Sequence, residues 1–225
     1  MRIVVEHMGK RIGAEEVLQD IDLTFCSGRI YGLRGKNGSG KTVLLRTLCG
    51  LMIPTTGRVL IDGVPLGEGS GLAFPKSVGV LIEEPGVIRR YSGLRYLKEI
   101  AAIRGIAQER DIVDLMLRLS LDPLSRKPIR TYSLGMRQKI GIISALMEQP
   151  DLVLLDEPFN GLDEASVEVT MQLIREARER GALVIVASHD KEELDDLADV
   201  IIQMKGGRVT DAGGAGALGG SDEAE

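Results

Sequence analysis

The stretch Gly35-Lys36-Asn37-Gly38-Ser39-Gly40-Lys41-Thr42 decides how this chain is read. It fits the pattern G-x-x-x-x-G-K-[ST], in which glycines let successive backbone N–H groups curl around phosphate oxygens where a Cβ would obstruct them. An apolar helix is expected to follow over about 41–48, carrying Val43, Leu44, Leu45 and Leu48 and aiming its positive end at the same anion. Before the loop, Ile30-Tyr31-Gly32-Leu33 reads as a strand. An accidental glycine-rich turn is the competing reading, and the strand–loop–helix context decides against it. The segment is therefore a nucleoside-triphosphate loop. Lys41 is placed to reach the β- and γ-phosphates of ATP, and the Thr42 hydroxyl to ligate Mg²⁺.

Outward from the loop, short β-branched or Leu-rich runs alternate with longer helical patterns, which indicates a mainly parallel sheet covered by helices. Strands are expected over 3–6, 17–25, 29–33, 57–61, 78–82, 152–156 and 183–187, with a closing hairpin over 201–204 and 208–210. No strand is legible from about 92 to 149. There Leu94, Leu97, Ile100 and Ala101, then Ile112, Leu115, Met116 and Leu119, keep helical spacing, so this part is expected to be a helical insertion. Residues 1–210 read as one domain. Residues 211–225, rich in Gly and acids without an apolar period, are expected to form a disordered tail.

Leu152-Val153-Leu154-Leu155-Asp156-Glu157 is an apolar strand ending in two acids. In an open α/β sheet the C-terminal end of a strand faces the ligand crevice. Asp156 is the natural Mg²⁺ ligand, through a water, because Mg²⁺ keeps much of its hydration. Glu157 is positioned to accept a proton from, or polarise, an attacking water. Alone, such a pair is as readily a helix cap; following a phosphate loop, it reads as catalytic.

The 225 residues, 44% hydrophobic and 27% charged, suit an ordinary soluble globular domain. A net charge of −5 argues against an extended nucleic-acid surface, which needs clustered Lys and Arg. Cys26 and Cys49 lack metal-ligand spacing and are expected to be buried small hydrophobes. No window approaches the ~18 apolar residues of a membrane span, and the start of the sequence lacks the apolar stretch of a signal peptide. Work at a membrane would need a partner with spans. Aromatics are few: no Trp, four Tyr, three Phe, and none before Phe25.

Ser133-Leu134-Gly135-Met136-Arg137-Gln138, the acid-ended strand, Asn160-Gly161-Leu162-Asp163 and Ser188-His189-Asp190 occur in that order after the loop. This order resembles an ATP-binding-cassette (ABC) ATPase subunit over about residues 3–210. The resemblance implies an α/β P-loop NTPase core with a mainly parallel sheet, an N-terminal antiparallel β region and a helical subdomain. It implies an ATPase that powers a membrane transporter, sandwiching two Mg-ATP in a homodimer or a heterodimer with another ABC ATPase subunit. Separate transmembrane permease subunits would be its partners, with no nucleic acid. Its place would be cytoplasmic, peripheral on the inner face of the cell membrane.

Carried over by position, Ser133 and Gly135 fall on the family's signature, usually L-S-G-G-Q, which closes over the partner's ATP. Here the first, third and last positions depart, but Ser133 can still cap a phosphate-binding helix; a cap alone is the bland alternative. Asp163 resembles the D-loop aspartate, with Asn160 in place of the usual Ser. His189 resembles the switch histidine that reaches the γ-phosphate, although a histidine after a strand is more often structural. Glu83 stands where the family has the Q-loop Gln, and an ionised carboxylate cannot donate as Gln does. Together with the S-L-G-M signature, this resembles the branch that exports, or confers immunity to, antibiotic peptides and bacteriocins. Ile12 stands where relatives stack an aromatic on adenine, which loses about 0.5–1.5 kcal/mol of stacking. An ABC-type scaffold or mechanical factor without a transport role is the runner-up. A chromosome-type relative needs a coiled coil that the 92-residue separation of Lys41 and Ser133 cannot hold. Translation-factor relatives usually carry two cassettes in one chain, and a P-loop kinase would leave the later motifs without a role.

Overall fold

The computed structural model describes residues 1–67, 75, 77–83 and 86–213. In chain order these form β1 (Arg2–Ile12), β2 (Glu15–Cys26), β3 (Ile30–Arg34), α1 (Lys41–Leu48), β4 (Thr56–Ile61), β5 (Val64–Pro65) and β6 (Val78–Leu81). Next come α2 (Gly93–Arg104), α3 (Glu109–Arg118), a 3₁₀ turn (Ile129–Thr131) and α4 (Leu134–Leu146), then β7 (Leu152–Asp156) and α5 (Glu164–Glu179). The last elements are β8 (Leu183–Ser188), α6 (Lys191–Leu197), β9 (Val200–Lys205) and β10 (Arg208–Gly213). β1, β2, β4 and β5 make an antiparallel sheet in the order β2-β1-β4-β5. The others make a six-stranded sheet ordered β10-β9-β3-β8-β7-β6, parallel except for β10.

Every residue of β7 and β8 is buried, which explains why these strands read as continuous apolar runs rather than alternating ones. Successive side chains point to opposite faces and so feed two cores. Leu152, Leu154, Leu183 and Ile185 pack with α1 (Leu44, Leu45, Leu48) and the antiparallel sheet (Ile3, Val5, Leu23). Val153, Leu155, Val184 and Val186 pack with Leu97, Ile112, Ile140, Ile174 and Leu194 from the helices. The parallel register sets Arg34 beside Ser188, Asp156 beside Ala187 and Leu81 beside Leu155. The segments after β3, β6, β7 and β8 therefore leave from one edge of the sheet.

Some expectations need correction. The antiparallel strands outrun their apolar stretches because Lys10–Ile12 pair with Glu15–Leu18 as a polar hairpin arm. Asp211–Gly213, expected in the tail, continue β10 against Gln203, Ile202 and Ile201; backbone pairing needs no apolar period. The rest of that tail, 214–225, lies outside the described residues. Cys26 and Cys49 are free but half-buried, since one ends β2 and the other caps the C-terminus of α1. Five aromatics, Phe25, Tyr31, Tyr96, Tyr132 and Phe159, are buried in the core, Phe25 meeting Tyr31 edge-on at 5.0 Å between centroids.

Candidate functional site

The phosphate loop turns into α1 through Gly40, whose φ of 101° suits glycine and where a Cβ would come 2.7 Å from Leu18 Cδ2. α1 starts without a side-chain cap, so its first N–H groups stay available to an anion. Lys41 is buried and its Nζ donates to the Gly35 carbonyl at 2.6 Å. Val17, residues 37–43, Asp156 and Glu157 line a cleft of about 300 Å³.

The acids meet the loop as the strand-end argument requires. Thr42 Oγ1 donates to Asp156 Oδ2 at 2.5 Å. Burial pushes the Asp156 carboxyl above the ordinary carboxylate range, partly offset by that hydrogen bond. Asp156 Oδ1 and Ser39 Oγ are buried without a hydrogen-bond partner among the described residues. A buried carboxylate oxygen left open beside a hydroxyl is a donor set suited to a hard divalent cation. Glu157 sits at φ 47°, its N–H bound to the Ala187 carbonyl at 2.7 Å. Its Oε1 lies 3.5 Å from Lys41 Nζ and its Oε2 2.8 Å from His189 Nδ1. Lys41, Glu157 and His189 thus form a continuous polar chain over the loop.

A second cluster holds Ser133, Gly135 and Asp163. Ser133 caps α4, its Oγ accepting from Met136 N at 3.1 Å. Gly135 lies so close to the chain at Gly161 that a Cβ would stand 2.3 Å from the Gly161 carbonyl oxygen. Asp163 caps α5 and accepts from Ser166 N and Oγ, at 2.9 and 2.8 Å, with Lys139 Nζ at 3.4 Å. The Ser166 bonds hold its carboxyl down to about 2. The cap is therefore complete above the ordinary Asp value and fades only as pH falls through about 2. None of these three residues lines the phosphate-loop cleft.

Three features escaped the sequence reading. Gln138, quoted in the motif without a role, joins the clusters: its buried Nε2 donates to the Glu157 carbonyl at 2.9 Å. Glu83 pairs with Arg46 of α1 at 2.6 Å, a partner that the sequence reading did not name. Ile12 is 45% exposed at the hairpin end, and Val17 and Val43 are the apolar side chains on the cleft wall. Only the rule that paired strands share a face pointed toward Val17.

A twisted, mainly parallel sheet with a phosphate loop, an acid-ended strand and a histidine at one edge defines a P-loop nucleoside triphosphatase. The comparisons narrow this. A family profile described as "ABC transporter" matches residues 18–160. The chain is 41% identical over 207 residues to the uncharacterized ABC transporter ATP-binding protein YybJ of Bacillus subtilis (strain 168), covering 92% of this chain and 94% of that one. It is 35% identical to the bacitracin transport ATP-binding protein BcrA of Enterococcus faecalis, covering 93% of this chain and 68% of that protein. The fold matches a dimeric, post-hydrolysis structure of the ATP-binding cassette MJ0796 bound to ADP and Pi, with a TM-score of 0.81, 22% identity, and 93% and 97% of the two chains covered. The chain belongs to the ABC transporter ATP-binding family. It is an ATP-binding, ATP-hydrolysing subunit of the transporter class. Among the described residues no helix is long and apolar enough to cross a membrane.

Proposed function

We propose that this subunit dimerises head to tail around two Mg-ATP and drives a separate transmembrane permease from the cytoplasmic face of the membrane. The carrying observation is the Lys41–Glu157–His189 chain over the phosphate loop. Lys41 and the loop N–H groups of residues 35–42 bind the phosphates. Glu157 takes the proton of the attacking water, and His189 orients Glu157 while facing the γ-phosphate. Thr42 and Asp156 would hold Mg²⁺, which neutralises charge on the transferred phosphoryl group. Ser133 and Gly135, outside their own chain's cleft, serve the partner's nucleotide, with Asp163 beside them. Loss of the γ-phosphate contacts then opens the dimer. The bacitracin-transport relative supports an antibiotic peptide as cargo.

In Glu157→Gln protein, ATP binding should persist while hydrolysis falls by about 10²–10⁴. Turnover near the wild-type rate would remove Glu157 from the role. The scaffold reading is not favoured, since the relatives carry transport names.

A further inference from the structure

We propose that the face built from residues 88–95 and 123–131 binds the surface of an anionic bilayer directly. This goes beyond membrane placement through a permease, because the contact is with lipid and needs neither ATP nor a second protein.

The two segments carry six basic residues and no acid, in a chain whose net charge is −5. Backbone bonds from Arg130 N to the Arg89 carbonyl, 3.0 Å, and from Ile129 N to the Tyr91 carbonyl, 2.8 Å, hold them side by side. Leu124 and Arg126 share a hollow with Ser92 and Arg95, which Lys98 and one acid, Glu99, also line, so the surface is continuous. Arg95 stacks on Tyr91 at 4.1 Å and lies 3.8 Å from Glu99. Arg89, Arg90, Arg126, Lys127 and Arg130 are exposed, and among the described residues no carboxylate pairs with them. Cations without a carboxylate partner among the described residues, gathered against the sign of the whole chain, mark a surface for an anionic partner.

The apolar side chains decide which one. Leu124 is 86% exposed and Ile88 41%, each beside these cations. Leu124 projects from the segment between α3 and the 3₁₀ turn. Asp122 Oδ1 accepts from Leu124 N at 2.9 Å, and Arg126 and Lys127 follow two and three residues on. A protruding leucine so close to two cations suits the headgroup–acyl boundary, where apolar tips sink and cations meet lipid phosphates. An acidic protein segment would satisfy the charges and leave Leu124 in water.

Purified full-length protein, without nucleotide, would be sedimented with vesicles of phosphatidylcholine alone or mixed with phosphatidylglycerol. Binding is expected only to the anionic vesicles, and should be released near 1 M salt, where screening falls to about 3 Å. Arg89→Gln/Arg90→Gln and, separately, Arg126→Gln/Lys127→Gln should each weaken it by about 25-fold, at roughly fivefold per charge. Leu124→Ser should weaken it severalfold. Arg180→Gln, an exposed charge at the end of α5, should change nothing, and unchanged thermal unfolding should show that the variants fold. Equal binding to neutral vesicles, or full binding by both double variants, overturns the proposal. So does patch-dependent binding of a polyglutamate peptide without vesicle binding, which would make the partner an acidic protein segment. None of these failures touches the ATPase assignment, whose own test is Glu157→Gln.

Discussion

β6 and β7 run side by side, Leu81 registered on Leu155, and each delivers an acid to the same edge of the sheet. Glu157, after β7, has a side chain only 20% exposed, held between Lys41 and His189. Its backbone is fixed from both sides, by the Ala187 carbonyl and by Gln138. Glu83, after β6, has a side chain 57% exposed and, among the described residues, one ion-pair partner, Arg46. Both take a left-handed backbone, φ 47° and 62°, so conformation does not separate them. The number of partners and the burial of the carboxylate do. A carboxylate held by several partners is set in advance for chemistry, whereas an exposed pair is weakly held and free to exchange partners.

The contrast breaks first if Glu157→Gln leaves hydrolysis intact, since the largest loss is expected there. Next comes the cluster that Gln138 ties to Glu157. A Gly135→Ala methyl would press on the Gly161 carbonyl oxygen at 2.3 Å, a backbone atom that cannot swing aside. Overpacking of this kind costs about 1–3 kcal/mol. A lowered thermal midpoint, with turnover falling more than ATP binding, is the expected result. A midpoint equal to wild type would show that the D-loop segment yields, and that this side of the site is no more fixed than Glu83.

A smaller effect is expected at the adenine side. Ile12→Tyr should tighten ATP binding about two- to tenfold if the hairpin end covers the base, from a stacking gain of about 0.5–1.5 kcal/mol. Nucleotide titration would measure it. Unchanged affinity, combined with weaker binding in Val17→Ala, would transfer that role to the neighbouring strand.

The same residues show what was legible in the sequence. The phosphate loop, Asp156 and Glu157 were legible because phosphate chemistry demands those residue types at fixed places beside strands, whereas His189 was singled out only by the family resemblance; the parallel register then gathers them. The Ser133 cap was legible for the same local reason. Ile12 and Val17 were not separable, because β1 carries register shifts between Val5 and Met8, Met8 and Lys10, and Lys10 and Arg11. A one-residue shift moves a side chain to the other face. Gln138 donates to a backbone carbonyl, which leaves no trace in residue type. Arg46 and Glu83 meet only through folding, with nothing local to announce the pair.

That pair offers the smallest effect and the sharpest test of the comparison. Arg46 lies in the last turn of α1, the helix the phosphate loop begins, where its charge also suits the helix dipole. The ion pair links the nucleotide-binding helix to the segment after β6 by a contact mostly open to solvent. Its expected contribution to stability is about 0.2–1 kcal/mol, shrinking with salt. A double-mutant cycle of Arg46→Gln and Glu83→Gln, followed by thermal unfolding at low and high salt, would measure the coupling directly. A salt-sensitive coupling within that range fits an exchangeable latch. Turnover of Glu83→Gln should then stay within about threefold of wild type, because Gln still accepts a bond from Arg46 and regains a donor. A coupling well above 1 kcal/mol that persists in salt would mean that Glu83 is buried and fixed in solution, as Glu157 is. The two strand ends would then differ in sequence but not in kind.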